Sequence, residues 1–284
     1  MKNFKMLICS FLLVCGGSLC GSITRYYTFD YSTAEYNPIN GSQLTFPDMN
    51  NYISSGIEIG FPFPYCGEMY EYVKISTNGF INPGATWNDD SPNNQLEYGI
   101  YPIIAPLWDD LSLGEGNLQY ATIGSAPNRE FWVQYSHARW PYNQFNCYVN
   151  FQVVLSENGK IEFHYGNTNG TPVNGSASIG INMPNAGAGN FFSITPGNPP
   201  LVSTTQENYS INEIIPSGTV YTFNPLPPVL YDLSLEIELD LIYMNGIYHN
   251  WQESFVLPVT VKNEGTETVD SYDVVLFCQQ MELC

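Results

Sequence analysis

Apolar and polar residues alternate along most of the chain, which is the period of a β-strand with one buried face. The clearest alternation runs over residues 149–155 and again over residues 161–165. Asn158-Gly159 lies between the two runs. Asn-Gly favours a tight hairpin turn, because both residues tolerate the positive φ that such a turn requires. The pattern therefore predicts a β-hairpin at this position.

A second hairpin is predicted at Asn78-Gly79, between strands at 70–76 and 80–81. Turn residues separate the other candidate strands, which are Ile23–Phe29, Ile57–Phe61, Ile103–Trp108, Leu118–Ile123, Glu130–Ser136, Ala177–Ile181, Phe191–Ile194 and Val220–Phe223. No long stretch has a helical period. Many short strands at this spacing predict an all-β fold, a β-sandwich or jelly roll.

The alternating pattern is interrupted at the proline-rich segment 225–231, where three prolines fall within four residues. Proline cannot donate to a sheet ladder, so we expect a stiff linker. Residues 232–284 then show three or four further strands, about half of an immunoglobulin-like sandwich. The predicted organisation is a β-sandwich domain at 23–224, the linker, and a truncated, partial immunoglobulin-like domain at 232–284.

The amino terminus has the layout of a secretory signal peptide over residues 1–22. Lys2 and Lys5 precede a short apolar run, and small residues follow it. A lipid anchor on Cys15 or Cys20 is the alternative. No later segment is long and apolar enough to predict a membrane span. We therefore expect a secreted or cell-surface protein.

The composition is strongly acidic, with 27 Asp and Glu against 8 Lys and Arg, and a formal net charge of −19. A surface this negative repels nucleic acid and anionic lipid, so neither is expected as a partner. Aromatic residues make up 15% of the chain, which is typical of an ordered protein that is rich in strands.

Five motifs in order carry a resemblance to a known family. They are Phe61-Pro62-Phe63, Val73-Lys74-Ile75-Ser76-Thr77-Asn78-Gly79-Phe80-Ile81, Ile104-Ala105-Pro106-Leu107-Trp108-Asp109-Asp110-Leu111, Ala126-Pro127-Asn128-Arg129, and Asn150-Phe151-Gln152-Val153-Val154-Leu155. The series resembles a β-rich extracellular domain of secreted proteins from Bacteroidota-like bacteria, distantly similar to the nidogen-type domain. The resemblance covers about residues 23–224.

The tail resembles the opening of a bacterial cell-adhesion-related (CARDB-type), immunoglobulin-like domain, through residues 232–235, 259–266 and 272–274. Both resemblances imply an adhesion or structural role within a larger multidomain protein, with an extracellular protein or glycan as the ligand. Neither supplies catalytic residues, so the expectation is a non-catalytic protein. The alternative is a secreted carbohydrate-binding module or a glycosidase.

Asp109 and Asp110 end an apolar strand, with Asp89-Asp90 and Glu115 on nearby loops. Carboxylate oxygens suit Ca²⁺, so these two residues form a candidate calcium site, and Ca²⁺ is the one candidate cofactor. The alternative is that one Asp caps a turn while Trp108 packs in the core. The chain has no Asp-x-Asp-x-Asp-Gly loop, and this favours the alternative.

The same carboxylates are candidates for a glycosidase acid and base, which need two carboxyl groups about 5–10 Å apart. Neighbours on a strand point to opposite faces, so Asp109 and Asp110 do not form such a pair by themselves. A sugar-stacking platform is the corresponding binding hypothesis, against simple core packing, for the aromatic residues Trp87, Trp132, Trp140 and Tyr142.

Cys66 and Cys147 are the two cysteines of the first predicted domain after Cys20. In an exported chain they are candidates for a disulfide, and two buried thiols are the alternative.

Overall fold

The computed structural model describes residues 22–86, 96–184, 187–227, 233–237 and 259–263. Residues 1–21 of the predicted signal peptide, Trp87 and Asp89-Asp90 therefore fall outside the described residues. Within 22–227 the described chain consists of a 3-10 turn, Ile23–Arg25, and fourteen strands. The strands are β1 Tyr27–Thr33, β2 Ser42–Leu44, β3 Ile57–Tyr65, β4 Glu68–Ile75, β5 Ile81–Pro83, β6 Ile103–Trp108, β7 Asn117–Ile123, β8 Glu130–Arg139, β9 Tyr148–Ser156, β10 Ile161–Tyr165, β11 Ser178–Asn182, β12 Phe191–Thr195, β13 Leu201–Ser203 and β14 Thr219–Pro225.

The fourteen strands form two antiparallel sheets of seven strands each. The first has the order β1-β14-β10-β9-β8-β7-β2, and the second has the order β13-β12-β11-β6-β5-β4-β3. The predicted all-β fold with a sandwich architecture is confirmed. Among the described residues, no helix is long and apolar enough to cross a membrane.

The main core lies between the two sheets and follows the alternation that the sequence shows. Inward residues of β8, β9 and β10 are buried, and they share one apolar cluster with inward residues of β3 and β4. Burial of apolar area is the main favourable term in folding, at about 25 cal/mol per Å². β6 is buried along its whole length, because Ile103, Ala105 and Trp108 pack in a second cluster on its other side.

Both predicted hairpins are present. Leu155 of β9 pairs with Ile161 of β10, with Asn158-Gly159 in the turn. Gly79 in the other turn has a φ of 79°, and a Cβ there would lie 1.9 Å from the carbonyl oxygen of Leu107. Only glycine fits this close approach between the turn and β6.

The first predicted strand, Ile23–Phe29, begins too early. Residues 23–25 form the 3-10 turn, in which the Ile23 N–H donates to the Gly189 carbonyl, and β1 starts at Tyr27. The three-residue strands β2 and β13 were not predicted, because so short a run shows no period.

Gly21–Pro227 form one compact unit, and the part of the chain from Pro228 onward belongs to another. In that second unit β15, Leu233–Ile237, pairs antiparallel with β16, Val259–Asn263. The strand pairing agrees with the predicted strands of the tail, and the immunoglobulin-like domain itself stays a prediction. Pro225, placed in the predicted linker, is the last residue of β14.

Candidate functional site

Asp109 follows β6 directly, and its carboxylate is buried. Oδ2 accepts hydrogen bonds from the Trp140 indole N–H and from the Ser176 backbone N–H, each at 2.7 Å. Oδ1 accepts from the Ser176 hydroxyl at 3.0 Å and from the Asp110 N–H at 2.8 Å. Hydrogen bonds to an ionised acceptor are the strong ones. The carboxylate thus links the end of β6 to Trp140, which follows β8, and to Ser176, which precedes β11. We call this group the Asp109 hub.

The turn at Asn78-Gly79 is tied to the same place. The Asn78 side-chain oxygen accepts from the Leu111 N–H at 3.1 Å, and the Asn78 carbonyl accepts from the Asp109 N–H at 3.3 Å. Two motifs that carried the family resemblance therefore meet in space. Their polar residues hold one turn of the sandwich against the end of a buried strand.

Asp110 is half-buried beside the hub. The pKa of Asp110 is raised to about 6, first by loss of solvent and then by the negative charge of Asp109. One oxygen of the Asp110 carboxylate is buried without a hydrogen-bond partner in the described structure. The Asp110 carbonyl accepts from the Tyr142 N–H at 2.8 Å, which ties this residue to the loop after β8.

The calcium hypothesis for Asp109 and Asp110 meets a geometric difficulty. The four hydrogen bonds to Asp109 use the lone pairs that a cation would need. Within the described ranges, no three His, Cys, Asp or Glu side chains lie together as a metal site requires. The calcium site stays a prediction, and Asp110 is the member with a free oxygen.

Cys66 and Cys147 are both free thiols, and the hypothesised disulfide is wrong. Cys147 directly precedes the nine-residue strand β9, whereas Cys66 lies in the turn after β3. At the far end of β9, Gly159 lies against Pro64, next to that turn. A strand of this length separates its ends by roughly 27 Å, and a disulfide needs Cα atoms within about 7 Å.

The four aromatic residues of the hypothesised sugar platform do not form one surface. Trp140 is fully buried, and Trp87 is outside the described residues. Trp132 is half-buried; it donates to Glu130 at 3.0 Å and its ring centroid lies 5.5 Å from that of His164. Tyr142 is exposed.

A different surface is built around an irregularity in β8. The pairing of β8 with β9 shifts between Tyr135 and Ala138, so two residues oppose Asn150 alone. This is a β-bulge, a feature common beside functional sites. His137 has a φ of 54°, and its N–H donates to the Asn150 side-chain oxygen at 2.9 Å.

Gly116 makes room for the bulge. A Cβ at Gly116 would lie 2.3 Å from the Ser136 carbonyl oxygen and 2.6 Å from that of His137. Any side chain there would displace the backbone of β8. Gly116 follows Glu115, so the residue that allows the bulge also places a carboxylate beside it.

Residues around the bulge form a continuous network, which we call the bulge surface: Glu115, His137, Arg139, Tyr142, Phe145 and Tyr148. The His137 and Tyr148 rings stack with centroids 3.8 Å apart and an angle of 11°. The Tyr148 hydroxyl donates to one Glu115 oxygen at 2.6 Å, and Arg139 Nη2 donates to the other at 2.7 Å. The Arg139 guanidinium lies 4.2 Å from the centroid of the Phe145 ring.

The hydrogen bonds and charges within this network shift the pKa values of Glu115 and Tyr148. The hydrogen bond from Tyr148 is the main cause that lowers the pKa of Glu115, and the nearby Arg139 lowers it further. The same hydrogen bond raises the pKa of Tyr148. Glu115 is therefore ionised and Tyr148 protonated at neutral pH, and each keeps the other in position.

The bulge surface was not predicted, although the pattern of β8 contains its signal. Inward residues alternate through Phe131, Val133 and Tyr135, and strict alternation would then bury His137. Instead Ala138 is the next buried residue and His137 is exposed. A polar residue at an expected core position, followed at once by an apolar one, marks an extra residue in the strand.

The fold and this surface define an antiparallel β-sandwich module that presents aromatic and charged side chains beside a strand end. Residues 26–225 match the family model described as NIDO related, which covers nearly the whole sandwich. The chain belongs to this nidogen-related family, whose domains are of an extracellular type. Neither a curated protein nor a solved structure gives a significant match.

The family match confirms the nidogen-type part of the resemblance seen in the sequence. The bacterial origin and the cell-adhesion-related tail stay predictions.

Proposed function

We propose that this protein is a secreted or cell-surface, non-catalytic module that serves adhesion within a larger extracellular protein. The proposal is carried by one observation: carboxylates packed into the sandwich accept hydrogen bonds from the chain itself. Asp109 accepts four hydrogen bonds from its own chain. Glu157 is paired with Arg129, and Glu207 accepts from two backbone N–H groups and from Ser178. These groups hold loops to strands.

Catalysis by carboxylates requires a different arrangement of these groups. A glycosidase needs one carboxyl as the acid and a second as the base or nucleophile, both directed into a cleft. Asp109 is committed to the hub on both oxygens, so it would have to break hydrogen bonds to take part. Asp110 has a raised pKa, and its carboxyl neighbour is the hydrogen-bonded Asp109. This arrangement favours a structural role for the pair.

The signal-peptide pattern at residues 1–22 and the extracellular type of the family support export. The acidic surface favours solubility outside the cell. Carbohydrate binding is the second candidate function, and the bulge surface is the observation that favours it, because exposed rings there adjoin a charged pair.

The test uses the full chain in two assays. Chromogenic glycosides report catalysis, and capture on immobilised matrix proteins and polysaccharides reports adhesion. We expect capture without product release. Glycoside turnover that is lost in Asp110→Asn would contradict the proposal, and Glu157→Gln provides a matched carboxylate control outside the Asp109 hub.

A further inference from the structure

The bulge surface is held rigidly before any ligand arrives. Ser112 and Arg139 exchange two backbone hydrogen bonds, at 3.1 and 2.8 Å, across the base of the surface. The loop between β8 and β9 is fixed at its start by Trp140 in the Asp109 hub and by the Tyr142 N–H on Asp110. A preorganised site loses little side-chain entropy on binding.

Two aromatic rings of the surface each have a neighbour against one face, and both residues are exposed. Tyr148 covers one face of His137, which is exposed. Arg139 covers one face of Phe145, and Phe145 is 65% exposed. An aromatic face is electron-rich, and it attracts the slightly positive C–H groups on the apolar face of a pyranose ring. Phe145 is too exposed to contribute to the core.

Glu115 and Arg139 supply hydrogen-bonding capacity between these rings. Each Glu115 oxygen already accepts one hydrogen bond and has a second lone pair available. Arg139 Nη1 donates to the Tyr142 carbonyl at 3.3 Å and carries another hydrogen. A hydroxyl group both donates and accepts, so an oriented carboxylate–guanidinium pair suits neighbouring sugar hydroxyls.

Charge decides between neutral and anionic sugars. The chain has a formal net charge of −19, and the guanidinium of Arg139 is already balanced by Glu115. A uronate or sulfated sugar would be repelled by this field. We propose that the bulge surface is a binding site for a neutral glycan, with a sugar ring stacked on Phe145 or His137 and hydroxyls on Glu115 and Arg139. The proposal rests on the binding role proposed above and assigns its ligand class and residues.

The test is binding of the full chain to soluble polysaccharides by affinity electrophoresis: neutral β-glucan, xylan and mannan, with polygalacturonate and heparin as anionic probes. Phe145→Ala removes one open ring. His137→Asn removes the other and keeps a residue that tolerates positive φ. The control is Tyr31→Ala, an exposed aromatic on β1, four strands away from β8 in the same sheet. Unchanged melting temperatures establish that the variants fold.

We expect retention by at least one neutral polysaccharide. The double variant Phe145→Ala, His137→Asn should bind it at least tenfold more weakly, and Tyr31→Ala should bind as the unaltered chain does. Binding only to anionic probes, binding to none, or a double variant that binds normally would overturn the proposal. Capture on matrix proteins without retention by any neutral polysaccharide would overturn this inference alone. Glycoside turnover lost in Asp110→Asn would instead overturn the proposed non-catalytic function.

Discussion

Trp140 donates its indole N–H to the Asp109 carboxylate across 2.7 Å, and both side chains are buried. The bond connects the loop after β8, in one sheet, to the end of β6, in the other. A buried indole N–H needs an acceptor, and a buried carboxylate needs donors, so each residue satisfies the other. The tryptophan-and-aspartate motif of the sequence is thus a tie between the two sheets.

The free energy of unfolding should depend on pH through Asp110. Its pKa is raised to about 6 in the folded protein, so the folded state binds the proton more tightly than the unfolded chain does. The stabilisation by this group is complete below about pH 4 and is lost as the pH rises through about 6. Urea unfolding from acid to neutral pH should show Asp110→Asn gaining stability relative to the parent as the pH rises. A constant difference between the two proteins would contradict the prediction.

Calcium should leave the melting temperature unchanged if Asp109 stays committed to the hub. Ca²⁺ takes about six to eight oxygen ligands. Both carboxylate oxygens of Asp109 are already occupied by hydrogen bonds, so they are not available to the ion. A ligand that binds only the native state must raise the melting temperature. Melting curves in millimolar Ca²⁺ and in chelator test this directly. A rise with Ca²⁺ that disappears in Asp110→Asn would establish the calcium site at this position.

Gly116→Ala should disturb the bulge surface. The added Cβ meets the carbonyl oxygens of Ser136 and His137 well inside contact distance. We expect the free energy of unfolding to fall by about 1–3 kcal/mol, as for other overpacking substitutions. Gly114→Ala is the matched control, because its Cβ would lie 3.6 Å from the Ser112 hydroxyl oxygen, an ordinary contact. Equal stability of the two variants in urea would contradict the role given to Gly116.

Much of the sandwich could be predicted, because the sequence signal for these strands lies within short stretches of the chain. The Asn158-Gly159 turn and the alternation of β9 and β10 lie within a few residues of one another. They predict the hairpin without any information about distant residues. The same holds for β6, whose predicted limits, Ile103–Trp108, are those observed.

The features that escaped prediction depend on residues far apart in the chain. Asp109 and Trp140 are 31 positions apart, and the sequence does not show that they meet. The bulge at His137 depends on Gly116, which precedes it by a whole hairpin. The disulfide hypothesis failed for the same reason, because the positions of two cysteines along the chain do not say at which ends of the sandwich they lie.

Limited proteolysis of the full chain should leave a resistant fragment that ends near Pro227. Residues 21–227 form a compact unit with its own core, and the division of the chain falls at Pro228. Proteases cut where few buried contacts hold the backbone. Mass spectrometry of the fragments identifies the boundary. Early cuts within β8 or β9 would contradict the division.

Asp109 stabilises the fold through its hydrogen bonds, and a double-mutant cycle with Trp140 is the sharpest test of this role. Asp109→Ala, Trp140→Phe and the double variant are compared by urea unfolding, with Trp140→Phe keeping a ring while losing the N–H. We expect Asp109→Ala to lower the free energy of unfolding by about 3 kcal/mol, with a coupling of at least about 1 kcal/mol between the sites. Additive losses within about 0.5 kcal/mol, or a more stable Asp109→Ala protein, would contradict the claim and favour a carboxylate kept for chemistry.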